Sequence, residues 1–298
     1  MRGPNFIIAG APKCGTTALY EYLQTHARVF LTNPKEPHFF ADDLGSHREA
    51  PTRDAYNRLY AAATDEHQAV GEASVLYLHS SVALRRVHDE WPDMRLIIIL
   101  RHPVDFLRSL HSDLVWVCFE DEPDFPRAWA MQDERRAGRC IPRLCQVPWL
   151  LDYRSLGQFS RNVARMLELF PREQIKIMLF DDLQESPQRV YTEVLEFLGV
   201  PPDGREAFPR VNAGKRSRLA WLAQCQTTVI QALPRSCLQF GKRLGLGRLS
   251  RTVMQLNSQP ATSAPLTGDF RRQLVDEFRD DIDALAEMLG RDLSHWKK

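Results

Sequence analysis

The stretch Phe6-Ile7-Ile8-Ala9-Gly10-Ala11-Pro12-Lys13-Cys14-Gly15-Thr16-Thr17 decides the fold. Residues 5–9 are a short apolar run, which predicts a buried strand. Gly10-Ala11-Pro12 ends it. From residue 16 to 25, Ala18, Leu19, Tyr22 and Leu23 share one helical face, so a helix is expected there. A strand, a tight glycine-bearing loop and a helix start together make a cradle for an anion. Loop N–H groups turn inward, and the helix N-terminus adds its dipole and unpaired donors. Lys13 supplies a full charge, and Thr16 and Thr17 supply hydroxyls.

Residues 10–17 read G-x4-G-T-T, close to the G-x4-G-K-[ST] loop that binds nucleotide phosphates. The lysine, however, has moved back into the loop. The aliphatic run Leu96-Ile97-Ile98-Ile99-Leu100 predicts a strand buried on both faces, and it ends in Arg101-His102-Pro103. A nucleotide triphosphatase usually ends a strand there in an Asp that holds Mg²⁺. A cation suits a second phosphate instead, and Ser109, on the helix expected over 103–117, is a further donor to it. Residues 175–180 are a third strand candidate and 69–71 a weaker fourth. Ser186-Pro187 reads as the start of a helix that Gly199 ends. Phe270, Leu274, Phe278, Ile282, Leu285 and Leu289 recur at the spacing of one last helix. Strands alternating with helices predict an α/β fold, a parallel sheet with helices on both faces, over a single domain, 1–298.

Composition narrows the class. The chain has 298 residues with net charge +1 and 44% apolar residues, which excludes disorder and needs no disulfide staple. Its longest aliphatic run is five residues, against about 20 for a membrane span. Residues 6–9 are too short for a signal-peptide core. The six cysteines form no C-x-x-C pair, so free thiols and a cytoplasmic location are expected. Charge is segregated. Residues 207–268 hold nine basic residues and no acidic one, a local field that attracts anions. Residues 257–267 read as a mobile loop.

In these residues the chain resembles the sulfotransferases that use 3′-phosphoadenosine 5′-phosphosulfate. Residues 11–17 look like that family's 5′-phosphosulfate loop, which implies donor binding by Lys13, Cys14, Gly15, Thr16 and Thr17. Leu100-Arg101-His102-Pro103 with Arg108-Ser109 looks like its 3′-phosphate motif, which implies Arg101 and Ser109. Pro34-Lys35-Glu36-Pro37-His38-Phe39-Phe40 looks like the K-E-x-x-F-F element of the heparan-sulfate and bacterial branch. Gly71-Glu72-Ala73-Ser74 looks like its G-E-K-S element, with Ala73 where Lys is common. Residues 211–216 resemble the late basic loop, which implies that Lys215 and Arg216 reach the nucleotide. Residues 289–296 look like the C-terminal signature.

The resemblance implies in-line sulfuryl transfer, with Lys13 on the sulfonate and no metal. Glu36 is the first candidate for general base. Proline disfavours helical backbone before it, so residues 34–38 are expected to be extended, with Glu36 and His38 on one side. His38 is the rival base, and Glu72 is a candidate to bind acceptor or place a cation. Trp116, Phe119, Phe125, Trp129, Trp149 and Tyr153 crowd residues 113–156. They favour a small, partly apolar acceptor bearing a hydroxyl, or less readily an amine, over a polysaccharide. No nucleic-acid partner is expected. Two alternatives stand beside this reading. One is a P-loop kinase-like enzyme. The other is a non-catalytic module that binds nucleotide or, through apolar residues 219–233 and their flanking cations, a membrane surface.

Overall fold

The computed structural model describes residues 3–209, 215–217, 258–260 and 266–298. The expected membrane-contact segment 219–233 and most of loop 257–267 lie outside the described residues. In chain order the regular elements are β1 (Phe6–Gly10), α1 (Thr16–Gln24), β2 (Val29–Leu31), α2 (Arg53–Arg58), β3 (Ala69–Glu72), α3 (Ala83–Glu90), β4 (Arg95–Leu100) and α4 (Pro103–Trp116). There follow α5 (Phe125–Ala130), α6 (Gln132–Arg136), α7 (Tyr153–Gly157), α8 (Phe159–Leu167), β5 (Ile175–Leu179), α9 (Phe180–Glu185) and α10 (Pro187–Leu198). Two short strands, β6 (Lys215–Ser217) and β7 (Ser258–Pro260), precede the closing helices α11 (Gly268–Glu277) and α12 (Arg279–Leu289).

Contacts divide the chain into two compact units. The first comprises Met1–Phe106, Leu156–Val211 and Arg271–Lys298; the second comprises Leu107–Ser155 and Asn212–Phe270. The first is built on a five-stranded sheet in the order β2-β3-β1-β4-β5, parallel throughout. All five residues of β1 are buried, as are Leu96 to Leu100 of β4. Each such aliphatic side chain contributes about 1.5–3 kcal/mol. Burial on both faces is why these two strands read as continuous apolar runs. Gly71 lets β3 lie against β1: a Cβ there would sit 2.5 Å from the Phe6 carbonyl oxygen.

The chain leaves β1 toward β2 but leaves β4 toward β5. The loops after these adjacent strands therefore diverge, and ligands bind parallel sheets in such a crevice, outside the carboxyl ends. Both anion motifs, residues 10–17 and Arg101, stand at those ends.

Two expectations about elements are corrected. The closing helix is two helices, because Phe278 leaves helical geometry with φ −99° and ψ 5°. The apolar spacing survives the break, since Leu274, Phe278, Ile282 and Leu285 are all buried. Part of loop 257–267 is strand: Ser258–Pro260 pairs antiparallel with Lys215–Ser217. The helix after Pro187 ends as expected at Gly199, with φ +70°. Ser186 makes no side-chain cap there.

The described part of the second unit holds a buried ion pair. Arg135 donates to both carboxylate oxygens of Glu120 at 2.5 Å. Tyr153 Oη donates to Glu120 Oε2 at 2.6 Å, and the Glu122 N–H donates to Oε1 at 2.9 Å. Four of the six aromatics that suggested an acceptor pocket, Phe119, Phe125, Trp129 and Tyr153, are core. Trp116 and Trp149 are half-buried.

Candidate active site

The loop after β1 is coiled by left-handed backbone at Lys13, with φ +61°, and at Gly15, with φ +88°. This is the backbone pattern of anion-binding nests. For Lys13 it is an uncommon conformation, of the kind that collects at functional sites. Gly15 is sterically required as well, since a Cβ would lie 2.7 Å from Leu183 Cδ2 and 3.0 Å from Phe180 Cδ2. Helix α1 starts at the next residue, and Gly15 offers no side-chain cap, which suits the first-turn N–H groups to a ligand. The Ala11 N–H donates to the Ile99 carbonyl at 3.0 Å, tying the loop to β4. Cys14 is fully buried, and burial pushes its thiol up, out of the reactive range, against the nearby Arg101 and Lys13 charges. Its contribution to the loop is therefore backbone. Thr16 is buried and Thr17 half-buried.

Arg101 follows β4 directly and lies beside the same loop. Its Nη1 donates to the Lys13 carbonyl at 3.4 Å, and its guanidinium carbon stands 4.7 Å from the centre of the Phe180 ring. His102 starts α4: its Nδ1 accepts from the Val104 N–H at 3.1 Å and its carbonyl from the Phe106 N–H at 2.9 Å. Ser109 is half-buried on α4, in the part assigned to the second unit. His111 bonds locally there, to the Glu122 carbonyl at 2.9 Å.

Lys35 joins the loop to a carboxylate. Its Nζ donates to Thr17 Oγ1 at 3.2 Å and to Glu36 Oε1 at 2.7 Å. The other Glu36 oxygen stands 3.5 Å from His38 Nε2. The two candidate bases are thus together, but the reason differs from the extended segment expected. Glu36 and His38 have φ +66° and +52°. The turn is held from below. The His38 N–H donates to Ser74 Oγ at 3.0 Å, and Ser74 donates to Glu72 Oε2 at 2.6 Å.

Glu72 is corrected by the same contacts. It is fully buried and accepts from Tyr56 at 3.0 Å and Tyr77 at 3.3 Å as well as from Ser74. No cation reaches it through those contacts, and burial raises its pKa. It braces the turn from beneath. The hydroxyls of Ser74, Tyr56 and Tyr77 gave no sequence signal as a set, because residues 56, 72, 74 and 77 meet only once β3 is in place.

Burial opposes the charge on Glu36. The His38 imidazole 3.5 Å away and the Lys35 charge outweigh that and hold it down to about 2. A lowered carboxyl adds stability that is complete above its unfolded pKa and is lost as pH falls through the folded value. Glu36→Gln removes that contribution. The stability difference between wild type and variant is expected to shrink as pH falls from about 4.5 toward about 2, as read by urea unfolding at fixed pH. A constant difference across that window would show that Glu36 is not so paired.

The family called sulfotransferase domain matches residues 3–213. The chain belongs to the sulfotransferase family. A solved sulfotransferase from Alicyclobacillus acidocaldarius superposes with a TM-score of 0.71 at 29% identity, covering all of both chains. The human bifunctional heparan sulfate N-deacetylase/N-sulfotransferase 3 is 29% identical over 99% of this chain and 31% of its own length. The mouse heparan sulfate glucosamine 3-O-sulfotransferase 6 is 26% identical over 67% of this chain and 53% of its own. The sulfotransferase chain thus spans about a third and about half of these two curated relatives.

Among the described residues of this sulfotransferase, no three His, Cys, Asp or Glu side chains are grouped to hold a metal. No helix there is long and apolar enough to cross a membrane. The loop 211–214 lies outside the described residues, and of Lys215 and Arg216 only the strand backbone is described.

Proposed function

We propose that this sulfotransferase moves the sulfuryl group of 3′-phosphoadenosine 5′-phosphosulfate to a hydroxyl, or to an amine, of a small, partly apolar acceptor, in the cytoplasm. The observation that carries the reading is the Lys35 bridge, which sets the Glu36 carboxylate beside the anion loop. A group-transfer enzyme needs a base next to the electrophile it holds.

The residues fit the donor. The nest at 13–15 and the start of α1 suit its 5′ end, with Lys13, Thr16 and Thr17 adding charge and hydroxyls. Arg101, one strand away, suits the 3′-phosphate, with Ser109, Lys215 and Arg216 assigned to it from the sequence. The donor, when bound, supplies an activated sulfuryl group. Glu36 takes the acceptor's proton at a carboxylate oxygen, and His38 holds the carboxylate in place. Lys13 and Lys35 offset negative charge at the loop. The acceptor class rests on the aromatic content of residues 113–156, of which Trp116 and Trp149 retain exposed surface.

Arg101 gives the test. Adenosine 3′,5′-bisphosphate at 100 times its Kd stabilises the fold by about 2.7 kcal/mol, and more than AMP or ATP-Mg²⁺ at equal concentration. Arg101→Ala costs the bisphosphate about 1.5–3 kcal/mol and leaves AMP nearly unchanged, by calorimetric titration. A larger shift with ATP-Mg²⁺ favours the kinase-like reading.

The names of the relatives favour a second acceptor, a glucosamine amine or hydroxyl of heparan sulfate. Transfer of radiolabelled sulfate to desulfated heparan fragments, but not to aryl or alkyl alcohols, would replace the small-molecule acceptor by that one.

A further inference from the structure

We infer that Phe180 is a positioning residue that holds Arg101 at the anion loop, and so lets the site distinguish a nucleotide with a 3′-phosphate from one without. This rests on the donor reading above.

Four observations bear on this contact. The Arg101 guanidinium carbon lies 4.7 Å from the Phe180 ring centre, within the range of a cation–π contact. Its Nη1 also meets the Lys13 carbonyl at 3.4 Å. That hydrogen bond is long, so the ring is the firmer of the two supports. The other side of the contact is the loop itself. The edge of the Phe180 ring, at Cδ2 and Cε2, comes within 3.0 and 3.1 Å of where a Gly15 Cβ would stand. The ring therefore fills the space between loop and guanidinium, and only glycine at 15 admits it.

The fourth observation is what fixes the ring. Phe180 opens α9, and the two residues after it are tied to the C-terminal tail. Trp296 Nε1 donates to Asp181 Oδ2 at 2.9 Å, with His295 Nε2 at 3.2 Å from the same oxygen. Both nitrogens of the Arg291 fork donate to Asp182, one at 3.0 Å. Trp296 is buried at 1% exposure, so this tie is anchored in the core. Side-chain freedom at Arg101 is the cost a phosphate ligand would otherwise bear. A long cation loses rotamer entropy when it is pinned, and here the pinning is done before the ligand arrives. Residues 289–296 thereby hold the start of α9, and with it the ring, in place.

The experiment is calorimetric titration of the whole chain with adenosine 3′,5′-bisphosphate and with AMP. In Phe180→Leu the bisphosphate binds about three- to thirtyfold more weakly, and AMP stays within twofold. Phe180→Tyr keeps the ring and restores wild-type discrimination. In an Arg101→Ala background, Phe180→Leu has no further effect on the bisphosphate, which a merely structural ring would not produce. Equal weakening of both nucleotides, no weakening, or additive losses in the double variant would overturn the inference. A wild-type chain that binds both nucleotides equally would overturn the donor reading and this inference with it. If wild type discriminates and Phe180→Leu still does, only the inference falls.

Discussion

Glu36→Gln is expected to lower kcat by about 10²–10⁴-fold while nucleotide affinity changes little. A hydroxyl acceptor has a pKa far above neutrality, so its proton must leave as the sulfuryl group arrives, and a positioned base contributes a factor of that order. The glutamine keeps the shape and one acceptor oxygen. It loses the negative charge that faces Lys35 and His38. Glu36 at about 2 is fully ionised at pH 7, which is the state a base needs, but a weak base in the resting protein. An anion bound at the loop would compete with Glu36 for Lys35, because the same ammonium touches Thr17, and losing that partner would raise the carboxylate's proton affinity. Lys13→Ala should differ in kind, damaging both kcat and nucleotide binding, since Lys13 belongs to the loop proposed to hold the donor in the ground state. His38→Asn separates the rivals. If it abolishes turnover while Glu36→Gln leaves most of it, His38 takes the proton and Glu36 orients the ring. If neither slows turnover tenfold, the base lies elsewhere.

What the sequence disclosed follows from how burial writes itself into composition. The strands β1 and β4 and the loop between β1 and α1 were legible because two-sided burial demands unbroken apolar runs, and because a glycine pair around Lys13 has few other uses. Arg101 was legible by contrast, as a cation where a metal-binding enzyme keeps an acid. Edge strand β2 was not, for Val29–Leu31 is three residues long and carries no period. Residues 34–38 differ in conformation from the extended segment expected. The proline rule favours the extended region at Glu36, whereas the chain takes the left-handed one. Which is taken depends on Ser74 reaching the His38 N–H, a contact between residues 36 apart. Glu72 showed the opposite error: a carboxylate in a motif looks functional until three hydroxyls are found around it. Phe180 carried no signal at all, being one more aromatic at the end of a strand.

Glu120→Ala is expected to cost about 3–5 kcal/mol, a large loss for a single substitution, because it leaves the buried Arg135 guanidinium with only the exposed Asp121 carboxylate, 3.7 Å away. Both side chains are almost fully buried, at 0% and 1% exposure. Burial opposes the charge on Arg135, and the Glu120 hydrogen bonds and charge more than offset it, so its pKa is raised. Removing the carboxylate reverses that balance and also strips Tyr153 and the Glu122 N–H of their acceptor. The pair itself need not add net stability. Desolvating two ions consumes most of what their attraction returns, so an apolar replacement of similar volume can come close to neutral. The triple variant Glu120→Leu, Arg135→Met, Tyr153→Phe should therefore recover most of the loss seen in Glu120→Ala, although it removes more polar contacts. Urea unfolding followed by tryptophan fluorescence reads both, since Trp129 is buried in the same unit. A triple variant less stable than Glu120→Ala would mean that the pair contributes net stability of its own. A Glu120→Ala midpoint equal to wild type would mean that water or another group satisfies Arg135.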